Sequence, residues 1–103
     1  MKTYIYQLIT KGSDERFIIS AFSDIDVAQK MLETNVAAQK DIEESCGSQV
    51  YIDYHKYERL RFPEFVMRDE DIISHVTVNV AANFDGKDRI CKTERYIVRT
   101  SIN

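Results

Sequence analysis

Tryptophan is absent from this chain, proline occurs once, at Pro63, and there are only three glycines, so few residues interrupt regular structure. That poverty excludes collagen-like, linker-like and low-complexity chains. No apolar run approaches the ~20 residues that span a bilayer. Residues 1–10, interrupted by Gln7 and two tyrosines, are too short for a signal peptide, so the expected setting is cytoplasmic with no membrane partner. The two cysteines, Cys46 and Cys91, lie far apart with no second Cys or His at ligand spacing, which argues against a metal knuckle and for free thiols. There is no Gly-rich phosphate loop and no recognisable catalytic signature, so neither a cofactor nor an enzymatic activity is expected.

What is present describes a globular domain. Hydrophobic residues make up 44% of the chain and charged residues 30%, enough for one core and a solvated surface. A chain of 103 residues buries roughly two thirds of its unfolded surface, which fits a single domain over residues 1–103. The net charge of −3 is too small for a duplex mimic or a strong nonspecific nucleic-acid binder. It is also uneven: residues 1–50 carry five basic and eight acidic side chains, and residues 51–103 nine of each. Electrostatic recognition is therefore expected to be local.

Two β-rich runs, residues 3–10 and 15–22, flank the polar turn Lys11-Gly12-Ser13-Asp14 and predict a hairpin, with Gly12 supplying a positive φ. Ser23, followed by Asp24 and Asp26, predicts a helix start capped by Ser23. Ile25, Ala28, Leu32, Val36, Gln39 and Ile42 continue it at three- and four-residue steps, and Gly47 ends it. Residues 49–57 alternate as a third strand, residues 58–71 form a connector, and residues 72–84 alternate again with Val76, Val78 and Val80 inward. Asp85-Gly86 then turns into a last strand. The expected fold is α+β in the order ββαβββ, one long helix packed on a largely antiparallel sheet.

Period-two reading of the last strand places Ile90, Tyr96, Val98 and Ile102 on one side and Arg89, Cys91, Arg95, Arg99 and Ser101 on the other. If the last three strands are neighbours, their outward sides present Tyr51, Asp53, His55 and Tyr57, then His75, Thr77 and Asn79, then Arg95 and Arg99. Aromatic rings beside guanidinium groups suit stacking on bases and pairing with phosphate. An antiparallel sheet with one solvated face presents the same residue types without any ligand. The candidate binding residues are thus Tyr51, His55, Tyr57, His75, Asn79, Arg89, Arg95 and Arg99. His55 and His75, with Asp53 or Asp85 nearby, are a candidate acid/base pair or part of a metal site. The acidic runs Asp69-Glu70-Asp71 and Asp41, Glu43, Glu44 lack a calcium-loop pattern.

The opening Met1-Lys2-Thr3-Tyr4-Ile5-Tyr6, the run Phe17-Ile18-Ile19, then Ala21-Phe22-Ser23 and a helix with Ala28 and Met31-Leu32, resembles the hairpin-helix start of many small bacteriophage and plasmid proteins. The resemblance spans residues 1–40 and transfers no functional residues. It implies a small protein that binds and blocks a host protein. Six tyrosines in such a short chain agree with a protein interface. The expectation is a non-enzymatic binding protein, a phage or mobile-element inhibitor docking on a host protein. The alternative is nucleic-acid or nucleotide binding through the Arg/Tyr face. An uncovered sheet edge also admits a homodimer.

Overall fold

In the computed structural model, residues 3–12, 16–55, 72–84 and 86–101 are described. The elements are β1 (Tyr4–Lys11), β2 (Phe17–Phe22), α1 (Ile25–Ser45), β3 (Gln49–His55), β4 (Ile72–Phe84) and β5 (Lys87–Ser101). The five strands form one antiparallel sheet in the order β2-β1-β5-β4-β3, with α1 packed on one face. The architecture is the expected α+β arrangement. Tyr57, the connector 58–71, Asp85 and Ile102 lie outside the described residues.

The helix begins one residue later than the sequence suggests. Asp24, not Ser23, is the N-cap: its backbone is extended, its carboxylate accepts from the Asp26 N–H at 2.7 Å, and its carbonyl accepts the first helical bond, from Ala28 N at 3.1 Å. Asp caps as well as Ser, so adjacent candidates leave the choice to tertiary packing. At the other end Gly47, with φ +87°, donates to Glu44 O while Ser48 N reaches Glu43 O, closing a Schellman turn. Gly86 has a positive φ as well, at +78°, and the Gly12 N–H donates to Arg16 O at 3.0 Å.

Ala28, Leu32 and Val36, spaced by four, are the buried stripe of α1 and lie against Leu8, Val76, Val78, Val80 and Ile97. Ile25, Val27, Met31 and Ile42 remain exposed, so the packed stripe is narrower than the apolar one. A second, smaller cluster of Ile9, Tyr96 and Val98, with Ile72 beside it, is buried on the sheet face away from α1.

Pairing across β4 and β5 corrects the expected sidedness of the last strand. Phe84 pairs with Lys87, and the same register puts Arg95 opposite Val76, Thr93 opposite Val78 and Cys91 opposite Val80. The side carrying Arg89, Cys91, Arg95 and Arg99 is therefore the helix side, and it includes the fully buried Ile97. Tyr96 and Val98 are buried on the opposite face, whereas Ile90 is exposed near the tip of the hairpin.

Candidate functional site

Three cross-strand rows organise the face away from the helix. Tyr51, Asn79 and Lys92 form the first, Asp53, Thr77 and Glu94 the second, and His55, His75 and Tyr96 the third. The sheet thus brings Tyr51, His55, His75 and Asn79 onto one surface, as the candidate set requires. It does not bring the arginines there. Arg95 is buried beneath α1, where its Nη1 donates to Gln39 Oε1 at 2.7 Å. Arg99 is exposed on the same helix side, its guanidinium carbon 4.6 Å from the Tyr4 ring centroid. Arg89 sits near the hairpin tip, opposite Ala82. Strand alternation cannot reveal this, because it separates two sides of one strand without saying which joins which side of its neighbour.

The third row is a continuous ring stack: His55 and His75 lie with centroids 4.3 Å apart, and His75 and Tyr96 4.4 Å apart at 9° between planes. His55 Nε2 is 2.7 Å from the Thr77 hydroxyl and 3.8 Å from Asp53 Oδ2. His75 is buried, and its Nε2 stands 3.5 Å from Glu94 Oε1, too long for a strong hydrogen bond; among the described residues neither of its ring nitrogens has a hydrogen-bond partner. Burial lowers the His75 pKa, the neighbouring His55 lowers it further, and Glu94 offsets only part. For Glu94, burial pushes upward, but the Tyr96 hydroxyl and Lys92 outweigh it and the carboxyl ends below its usual range. Burial raises the Tyr96 phenol, and the Glu94 carboxylate raises it further. At neutral pH His75 and Tyr96 are uncharged rings beside an ionised Glu94 that Lys92 approaches at 3.4 Å. Tyr96 and Glu94 were not among the candidate residues; counting from the Asp85-Gly86 turn pairs them with His75 and Thr77 and would have found them.

The strongest surface lies at the edge of β2. Gly12 bonds Arg16 across the hairpin, so the in-register partners Thr10–Ile18, Leu8–Ser20 and Tyr6–Phe22 are the hydrogen-bonded pairs. The N–H and C=O groups of Ile19 and Ala21 must then point outward from the sheet. Phe17 is 42% exposed, Ile18 68% and Ile19 55%, so among the described residues this edge is open at Ile19 and Ala21 and is flanked by large apolar side chains on both faces. The opposite edge, β3, exposes Tyr51 and Tyr54 but also Asp53, a charge of the kind that discourages strand pairing.

Among the described residues no three His, Cys, Asp or Glu side chains are placed to hold a metal ion, and no helix is long and apolar enough to cross a membrane. No protein-family model, curated protein or solved structure matches the chain.

Proposed function

We propose that this chain is a non-enzymatic binding protein that docks on another protein by accepting or supplying a strand at the β2 edge of the sheet. The observation that carries the proposal is the outward backbone of Ile19 and Ala21, set between exposed apolar side chains on an uncharged strand at the edge of the described sheet. Main-chain bonds at such an edge supply affinity, and alternating side chains supply specificity. The likeness of residues 1–40 to phage and plasmid openings makes a bacterial host protein in the cytoplasm the partner of choice. A nucleotide held by Arg89, Arg95 and Arg99 with Tyr51 or His55 is the weaker reading, because those groups sit on two faces of the sheet.

Ile19→Pro tests the proposal. The Ile19 N–H points away from β1, so proline there removes a free donor while leaving the β1–β2 bonds in place. Tagged wild type is expected to retain a host protein from bacterial lysate that the folded Ile19→Pro variant does not. Equal retention by both proteins, or retention of nucleotide alone, would refute docking at this edge.

Self-complementarity of β2 favours a second copy as the other occupant. Antiparallel pairing about a twofold axis at Ile19 sets Ile19 against Ile19, using its outward-pointing backbone groups. Light scattering distinguishes the two occupants. A species of about twice 12.0 kDa that reverts to monomer in Ile19→Pro indicates the dimer.

A further inference from the structure

Under the helix, Arg95 occupies an environment that its charge does not suit. It is 7% exposed, and among the described residues its Nε is buried without a partner and its one hydrogen bond goes to the neutral amide of Gln39. Burial pulls its pKa down, and no carboxylate of the described residues pushes it back. An ionised side chain buried without a counter-ion is costly, and arginine cannot escape the cost by losing its proton. Replacement by an apolar residue of similar size is commonly neutral or stabilising at such positions. Core packing alone does not call for a cation here.

Arg95 is also at the inner end of a cleft. One cross-strand row on the helix face runs Arg95, Thr10, Ile18, the next runs Ile97, Leu8, Ser20, and Met31 and Asn35 of α1 form the facing wall. The row crosses two strand spacings, roughly 10 Å, from the guanidinium on β5 to the open side at β2. Its inner end offers a cation, the Thr10 hydroxyl and the Asn35 amide; its outer end offers Ile18 and Met31, both exposed.

We propose that this cleft binds a carboxylate carrying a short apolar tail, with the anion against Arg95 and the tail along Ile18 and Met31. A guanidinium meets a carboxylate through paired N–H donors, and the low-polarity surroundings strengthen that contact. A single cation suits a monoanion with a tail better than inorganic phosphate, whose second charge would stay buried without a partner. The cleft shares Ile18 with the flank of the β2 edge, but its anion site is Arg95 on β5, so a carboxylate can bind whether or not a strand docks at β2.

Titration of the protein with sodium hexanoate, followed by amide NMR, tests this, with hexanol and inorganic phosphate as comparison ligands. Hexanoate is expected to give saturable shifts at Thr10, Ile18, Met31, Asn35 and Arg95, and the comparison ligands are not. Arg95→Met should remain folded, with a melting temperature no lower than wild type, and should bind hexanoate at least about tenfold more weakly, the loss of one charge-assisted contact. Asn35→Glu changes an exposed helix residue that lines the cleft, supplies the missing carboxylate internally, and should block hexanoate while raising the melting temperature. Absence of saturable shifts in wild type, equal binding of phosphate or hexanol, or undiminished binding by folded Asn35→Glu would overturn the proposal.

Discussion

The two faces of the sheet solve opposite problems. The helix-covered face is mainly apolar and nevertheless contains a buried cation, Arg95, whereas the other face has polar cross-strand rows and contains a stack of three rings. A protein optimised only for stability would place the guanidinium on the wet side and the rings on the dry side. The difference teaches that sidedness in this fold is set by register from the β4–β5 turn, and that Arg95 answers to something other than core packing.

The largest effect that would sharpen this contrast is a charge reversal. Arg95→Glu puts a shorter, less reachable anion under the helix and is expected to cost about 3–5 kcal/mol, whereas Arg99→Glu, on the exposed end of the same strand side, should cost within about 0.5 kcal/mol. Chemical denaturation of the two variants checks it. Similar midpoints for both would return Arg95 to the solvated surface. Next comes Leu32, fully buried against the sheet: Leu32→Ala should lose about 2–5 kcal/mol and the exposed Lys30→Ala almost nothing. Equal losses at the two positions would mean that the helix presents a different stripe.

The polar face makes its own prediction, through His75. Its folded pKa lies below its ordinary value of 6.5. Above that value the ring is neutral in both states and contributes no pH dependence. As pH falls below it, the unfolded state takes up the proton first, and stability is lost down to the folded pKa. Melting temperature should therefore drop on acidification below about pH 6.5, and His75→Phe, which preserves stacking with His55 and Tyr96, should flatten that part of the curve. An unchanged slope would show that His75 is solvated. The smallest effect is at the cap: Asp24→Ala should cost about 1 kcal/mol and Ser23→Ala less than half of that, by thermal unfolding.

Element order was legible because each element carries its own periodicity: α1 through Ala28, Leu32 and Val36, and β4 through Val76, Val78 and Val80. The candidate site was legible only in part. Tyr51, His55, His75 and Asn79 share a face because all four lie on β3 and β4, where alternation and the inward valines agree. Arg95 and Arg99 were misplaced because β5 has apolar residues on both sides, Ile97 on one and Tyr96 and Val98 on the other, so alternation alone is ambiguous there. The two-residue turn held the answer, since pairing outward from Phe84 and Lys87 reaches Val76 and Arg95 together. The free edge of β2 was not legible at all. It depends on strand order, with β5 arriving between β1 and β4 from the far end of the chain.

The central claim, that β2 is an open edge awaiting a strand, is tested most directly by residue-resolved amide hydrogen exchange at low protein concentration. Alternation along the strand is expected: Ile19 and Ala21 exchange quickly, while Ile18, Ser20 and Phe22 are protected by β1, and the fast amides become protected when a partner protein or a second copy is bound. Uniform protection of all five amides in the dilute monomer would contradict it, because the edge would then already be covered.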